Sequence, residues 1–240
     1  NTSEYVWLVT TGAVDIFTVR IEQGNPVGAR THVLRLQTGA LFFGIDSTKY
    51  GKDRALLAVG GLGSFVLQLE LARIQQLARE QEFTAIGISD LIDQWVIALI
   101  KTIARGLIPQ NAIVLQAAQD IRIEENLDVT AEKGVLWIQH QAGASKPLGS
   151  DTFPRIEGAD FFPVSKQSWL QTTSAVQLRV SSILDCIAQD LFWSSLEKFH
   201  LFMLECIILA LKEFEAQERI RLQEKSQEET QALTSAFSRL

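Results

Sequence analysis

Two residue pairs, Phe43-Gly44 and Arg54-Ala55, have the types and spacing of an anion-binding site, with Arg54 ten residues after Gly44. A glycine allows backbone amides to approach an anion closely. An arginine can then bind a phosphate through two parallel hydrogen bonds. The pattern therefore indicates phosphate binding, and the plainer alternative is that Arg54 is a solvated or salt-bridged strand residue.

A repeated signature surrounds these residues. Each copy has an apolar strand containing a tryptophan, then a turn glycine, then the sequence Gly-Ala-x-Phe-Phe. The members are Trp7, Gly12 and 39–43 in the first copy, and Trp137, Gly143 and 158–162 in the second. Recurrence in the same order predicts two related β units. The second copy is shorter and has Pro163 where the first has Gly44, so the two units need not share a function.

Strand and turn patterns fill the first 71 residues. Strands are predicted from short β-rich runs that end at glycines, and Gly24-Asn25-Pro26 is turn chemistry between two of them. The segments concerned are 5–9, 13–21, 32–36, 55–59 and 64–71. Such short strands at close spacing are typical of a sandwich or barrel.

Helical periodicity begins near Leu71. A wide apolar stripe predicts a helix over about 90–105, with Ser89 as its N-cap and Gly106 as its stop. The segment 111–125 is ambiguous and could enter the second β unit as a strand. That unit is expected over roughly 127–183, with a strand running from Trp169 to Val180.

From Asp190 onward no glycine or proline interrupts a helical pattern that turns polar after Phe214. Such a sparsely apolar helix usually needs a partner on which to pack. The sequence therefore predicts an α+β fold with tandem double-stranded β-helix (jelly-roll) units, the second degenerate, and a long C-terminal helix. The expected domains are 1–72, a helical connector over 73–110, a second β domain over 111–188, and the helix 189–240.

Composition excludes several classes of protein. A net charge of −6 argues against nucleic acid as a partner, because phosphates favour a basic face. The two cysteines, Cys186 and Cys206, sit in apolar runs and are expected to be buried and unpaired. No uncharged apolar run approaches the roughly 18 residues of a membrane helix. The single methionine is Met203, which predicts that the natural start lies upstream.

Catalytic motifs are not found. The chain contains no phosphate loop for ATP, no nucleophile elbow and no paired metal-ligand motif. The three histidines, His32, His140 and His200, are scattered and have no nucleophile beside them in the sequence. The prediction is therefore no catalytic residue, no metal ligand and no enzyme activity in these 240 residues.

Residues 5–71 resemble the cyclic-nucleotide-binding domain, in which a phosphate-binding cassette reads Phe-Gly-Glu, a short helix, then Arg-Ala. Phe43-Gly44 and Arg54-Ala55 match this cassette, and the resemblance implies that Arg54 holds the cyclic phosphate. Ile45 replaces the glutamate that holds the ribose hydroxyl, and Asp46 comes one residue late. An unpaired hydroxyl costs ~1–3 kcal/mol, or about ten- to a hundred-fold in affinity.

The wider pattern resembles the cytosolic N-terminal region of bacteriocin-type ABC exporters associated with nitrile-hydratase-like leader peptides. The segments that carry this likeness are 7–17, 28–30, 56–60, 196–200 and 218–222. In that family the transmembrane and ATP-hydrolysing domains follow, which implies that ATP and Mg²⁺ are handled outside this chain. The resemblance also implies a bacterial protein at the cytoplasmic face of the inner membrane.

The resulting hypothesis is a non-catalytic regulatory or docking region of a peptide exporter. Its expected partners are the exporter's own transmembrane and ATPase domains, a homodimeric or heterodimeric second half, and leader-peptide cargo. The rival hypothesis is a working cyclic-nucleotide receptor that gates its attached transporter. A third alternative, a cupin-like metal enzyme on the same barrel, is disfavoured because the histidines are scattered.

Overall fold

The computed structural model describes residues 2–45, 54–104 and 109–237, of which the side chains are described as far as Gln227 with Thr2 and Ser226 excepted. Asp46 and Gly106, both singled out from the sequence, lie outside the described residues. Within these ranges the chain forms two β units, a helical connector and a long C-terminal helix. The predicted α+β class is confirmed.

The strands and helices follow the chain in this order. The first unit contains β1 (Tyr5–Thr11), β2 (Ala13–Glu22), β3 (Asn25–Gln37), β4 (Leu41–Phe43), β5 (Arg54–Gly60) and β6 (Phe65–Glu70). The connector contains α1 (Leu71–Glu80) and α2 (Glu82–Lys101). The second unit contains β7 (Ile113–Leu115), β8 (Gln119–Ile123), β9 (Asp128–Ala131), β10 (Val135–Ala142), β11 (Ala144–Pro147), β12 (Ile156–Glu157), β13 (Phe162–Ser165), β14 (Leu170–Thr172) and β15 (Val176–Ser181). Helices α3 (Ile183–Cys186) and α4 (Asp190–Phe237) complete it.

The second unit is a complete double-stranded β-helix. One sheet has the order β13-β10-β15-β8, and the other has β12-β11-β14-β9, with β7 added parallel to β9. Strands from β8 onward alternate between the two sheets, apart from the neighbours β11 and β12. Two facing sheets that exchange strands in this way form a jelly roll.

The described part of the first unit repeats six of those eight positions. Its sheets have the orders β4-β1-β6 and β3-β2-β5, which match β13-β10-β15 and β12-β11-β14 of the second unit. The strand order therefore confirms the predicted tandem of jelly-roll units.

The register of the repeat differs from the sequence prediction. Gly12 and Gly143 occupy equivalent positions. Each follows a β-bulge and has positive φ, and a Cβ atom on either would overlap residues at the start of the neighbouring strand, which is β6 in the first unit and β15 in the second. Val9 and His140 are the last residues before the bulge in their strands and are therefore equivalent. Two residues earlier, Trp7 is equivalent to Ile138 and not to Trp137. The two tryptophans of the repeated signature therefore occupy different positions of equivalent strands, because the second strand has one more residue between tryptophan and glycine.

Helix α2 begins earlier than predicted. It spans Glu82–Lys101 and not 90–105, and Ser89 is a buried residue within it and not an N-cap. Among the described residues, α2 is the one helix long and apolar enough to cross a membrane by length and composition. Its Ile92, Trp95 and Val96 are buried in the hydrophobic core, as in the core helix of a globular protein.

Other boundaries of the second unit are also resolved. The ambiguous segment 111–125 contributes strands β7 and β8. The expected continuous strand from Trp169 to Val180 is divided into β14 and β15, which lie in different sheets. Alternation of apolar residues cannot show this division, because both strands keep the same period of two.

Helix α4 packs along the second unit and then leaves it. With 48 residues it is about 72 Å long. Phe199 contacts Phe162 edge to face, and Phe192 contacts Trp137 in the same way. Residues up to Ala210 include many buried side chains, whereas nearly all the described side chains from Lys212 to Gln227 are exposed. Cys186 and Cys206 are free and buried, as predicted.

Candidate functional site

A cavity of about 530 Å³ lies in the first unit. This is within the usual range for small-molecule sites, about 300–1,000 Å³. Strands β1, β2, β5 and β6 contribute its walls, and Trp95 of α2 reaches it from the connector. Residues 43–45 and Ala55 line it, so the segment that resembles a phosphate cassette borders this cavity.

The described lining of the cavity is apolar and uncharged. Trp7 and Phe42 stack with their ring centroids 5.5 Å apart and their planes 16° apart. Ile45 adds an aliphatic side chain where the resemblance implies a carboxylate. Ser64 is already satisfied, since its Oγ donates to the Ala13 carbonyl at 2.8 Å and accepts from the Ala13 amide at 3.1 Å. The lining therefore favours a ligand with a flat, apolar part.

Arg54 adjoins the lining residue Ala55 in the chain but is not itself among the residues that line the cavity. It begins β5, and its side chain is only 19% exposed. Its guanidinium Nη2 lies 3.9 Å from a carboxylate oxygen of Glu215 on α4. Arg54 is therefore a salt-bridged strand residue in the described part of the chain, which is the plainer alternative given by the sequence. Sequence spacing could not identify Glu215, because the two residues are far apart in the chain and belong to different elements.

The remaining cassette residues serve the fold as well as the cavity. The amide of Gly44 donates a long hydrogen bond of 3.4 Å to the Tyr5 carbonyl, which holds the end of β4 against β1. The ring of Phe43 is buried and lies 5.0 Å from the imidazole of His200. Phe43 thus connects the cavity wall to the long helix.

His200 forms the centre of a three-way junction. Its Nε2 accepts a hydrogen bond of 2.9 Å from the indole N–H of Trp95, so its own proton lies on Nδ1. Complete burial lowers the pKa of His200 to about 3, and the ring is neutral at physiological pH. Sequence reasoning treated His200 only as an unlikely catalyst and missed its structural position between β4, α2 and α4.

The second unit uses its copy of the motif differently. Only residues 166–169 connect β13 to β14, and Ser165 and Ser168 close this turn by hydrogen bonds. The Phe161 amide donates to Ser195 Oγ at 3.0 Å, and Asp160 pairs with Lys198 at 2.8 Å. The second Gly-Ala-x-Phe-Phe segment therefore attaches α4 to its unit.

The two histidines outside this junction, His32 and His140, have separate polar partners. His32 is exposed and lies 3.0 Å from Asp15. His140 Nε2 lies 2.9 Å from Ser145 Oγ, but both side chains are buried, and burial lowers the pKa of His140 to about 4. The part of the chain described here contains no cluster of three or more metal-ligating side chains.

Comparisons with known proteins give structural likenesses alone, since no protein-family model and no curated protein matches this chain. The cAMP-bound structure of PfPKA-R is 12% identical, with 86% of this chain and 77% of that chain covered and a TM-score of 0.28. A guanosine-bound regulatory subunit of a cAMP-independent protein kinase A from Trypanosoma cruzi is 10% identical. The match covers 84% of this chain and 75% of that chain, with a TM-score of 0.27. The regulatory domain of Toxoplasma gondii PKA with cAMP is 11% identical. The match covers 91% of this chain and 80% of that chain, with a TM-score of 0.21. The fold is defined by the strand order given above and not by these scores.

Proposed function

We propose that this chain is a non-catalytic regulatory module whose first β unit binds a small phosphate-bearing molecule and whose helix α4 transmits the binding. The ion pair between Arg54 and Glu215 is the observation that supports this proposal most strongly. It joins Arg54, at the start of β5, to the helix that leaves the second unit.

Binding and signalling are coupled by competition for one guanidinium. A phosphate that accepts two short hydrogen bonds from Arg54 would interact more strongly than a carboxylate 3.9 Å away. Glu215 would then lose its partner, and the exposed part of α4 would be released from the first unit. The ligand's flat portion would lie against Trp7 and Phe42.

A nucleoside cyclic phosphate is the ligand class that this arrangement fits best. The aromatic pair can stack on a base, and Arg54 can hold the phosphate. Ile45 leaves the ribose hydroxyl without a partner, so we expect affinity about ten- to a hundred-fold weaker than with a carboxylate there. This expected weakness distinguishes the site from one selected for tight nucleotide binding.

The wider context of the module is proposed from sequence resemblance. By this proposal α4 continues toward the membrane domain of a peptide-exporting ABC transporter at the cytoplasmic face of a bacterial inner membrane. ATP and Mg²⁺ would act in the exporter's own ATPase domain, and leader-peptide cargo and a second transporter half would be the partners. Nucleic acid is not expected as a partner, because the chain carries a net charge of −6.

Calorimetric titration with cyclic AMP and cyclic GMP tests the ligand site. We expect weak binding to the unmodified chain, none in Arg54→Ala, and several-fold tighter binding in Glu215→Gln, because the neutral amide competes less well for the guanidinium. Arg179→Ala is the matched control, since Arg179 forms an exposed ion pair with Asp120 in the second unit.

Two results would contradict the proposal. Equal heats in Arg54→Ala and the unmodified chain would remove Arg54 from the site. Unchanged affinity in Glu215→Gln would show that ligand binding and the α4 contact are independent.

A further inference from the structure

Within the ranges that the structure describes, no strand pairs with the outer edge of β6 in the first unit, whereas the equivalent edge in the second unit is covered. β6 ends the described order β4-β1-β6, whereas β15 is followed by β8 in the order β13-β10-β15-β8. β5 likewise ends its sheet among the described residues, whereas its counterpart β14 pairs with β9. In the second unit the two equivalent edges are covered by β8 and β9, which both belong to one continuous segment, 119–131.

The inward face of these edges is exposed as a consequence. By the register of the repeat, Val66 is equivalent to Leu178, and Ala58 is equivalent to Leu170. Val66 is 46% exposed, whereas Leu178 and Leu170 are fully buried. In the second unit Ile121 lies opposite Leu178, and Val129 lies opposite Leu170. Strand addition is therefore what buries these positions.

The outward face of β6 is also apolar, whereas the equivalent face of β15 in the second unit is polar. Phe65 and Leu67 are 67% and 48% exposed. Their equivalents are the polar residues Gln177 and Arg179, and Arg179 pairs with Asp120 of the neighbouring strand at 3.2 Å. An amphipathic strand like β8 would place its charged residues beside Phe65 and Leu67. The edge is thus suited to a strand that is apolar on both faces.

We infer that β6 and β5 together accept an extended polypeptide segment, which pairs antiparallel with β6, turns, and continues along β5. Such strand addition combines main-chain hydrogen bonds with side-chain contacts on alternate faces. The portion beside β6 is an uninterrupted apolar run of about five residues, the usual length of a strand. A second copy of β6 fits less well, because it would cover one edge and leave β5 open.

The probe is a labelled peptide that copies residues 117–131 and carries the substitutions Asp120→Leu and Arg122→Leu. By the register of the second unit, the first new leucine would lie opposite Leu67 and the second opposite Phe65. Fluorescence anisotropy with the whole 240-residue chain is expected to show binding at least tenfold tighter than that of the unaltered peptide. Val66→Asp in the protein should reduce binding at least tenfold. Phe83→Asp is the matched control, because Phe83 is 91% exposed on α2, away from the edge.

The inference fails if neither peptide binds, if both bind equally, or if Val66→Asp leaves binding unchanged. It also fails if the chain forms a dimer that Phe65→Asp dissolves, because the edge would then pair with a second copy. Val66 and Ala58 also line the cavity of the proposed ligand site, so the two proposals are distinguished through Arg54. Arg54→Ala should abolish nucleotide binding and leave peptide binding intact.

Discussion

Replacing Trp137 with alanine is expected to destabilise the protein by about 3–5 kcal/mol, the range for removal of a large buried aromatic side chain. Trp137 is completely buried on the helix-facing side of β10. Its ring lies edge to face against Phe192, with the centroids 4.8 Å apart, so truncation leaves a cavity between the second unit and α4. Urea unfolding followed by circular dichroism measures the loss.

Trp7→Ala is the matched control and should cost less, under about 2 kcal/mol, because Trp7 is only partly buried and borders an existing cavity. The contrast follows from the register of the repeat, which places the two tryptophans on opposite faces of equivalent strands. Equal losses in the two variants would restore the sequence-based equivalence and contradict the register found in the structure.

The repeat illustrates which features a sequence can supply. The local signals were sufficient for two β units, for the turn glycines Gly12 and Gly143, and for the long helix, because each depends on residues close in the chain. Register was not accessible, because a single extra residue before Gly143 moves the tryptophan to the other face of the strand.

Helix α2 shows a second limit. Its N-cap is Gln81, whose side chain makes no capping hydrogen bond, so no cap residue marks the start of the helix. Ser89 has the chemistry of a cap but is buried within the helix, and its hydroxyl has no hydrogen-bond partner among the described residues. Tertiary packing of the apolar stripe sets the boundary that capping rules placed too late.

The candidate site was predictable only in part. Of the residues singled out by spacing, Phe43, Gly44 and Ala55 line the cavity, and Arg54 is not among the lining residues. The partners that give these residues meaning, Glu215 and His200, come from α4 and reach the site only through tertiary packing. No pattern within a short window encodes such contacts.

The stability of this protein should depend on pH with two opposing contributions. Burial lowers the pKa of His140 to about 4 and of His200 to about 3, from an ordinary value of 6.5. The unfolded chain therefore binds these protons more readily, and stability is lost as pH falls from 6.5 toward those values. Asp93 has the opposite sign, because its pKa is raised from 3.8 to about 7.

Desolvation is the main cause of the Asp93 shift. The nearby Trp137 indole N–H lowers this pKa, and the charge of Asp90 raises it. Neither Asp93 Oδ1 nor Trp137 Nε1 has a hydrogen-bond partner of good geometry among the described residues, so the indole compensates the burial of the carboxyl only in part. Because the folded state prefers the protonated carboxyl, stability from this group is complete below pH 3.8 and is lost as pH rises to 7.

Asp93→Asn should therefore be more stable than the unmodified chain at pH 8 by about 2–4 kcal/mol, since one pKa unit corresponds to about 1.4 kcal/mol. At pH 4 the two proteins should differ little, because Asp93 is then protonated in the folded state. Urea unfolding at both pH values gives the comparison, with the exposed Asp120→Asn as control. A constant difference between pH 4 and pH 8 would mean that Asp93 stays ionised in the fold. A difference confined to the higher pH would place an uncharged carboxyl at the contact between α2 and the second unit, where its ionisation opposes the packing of the two.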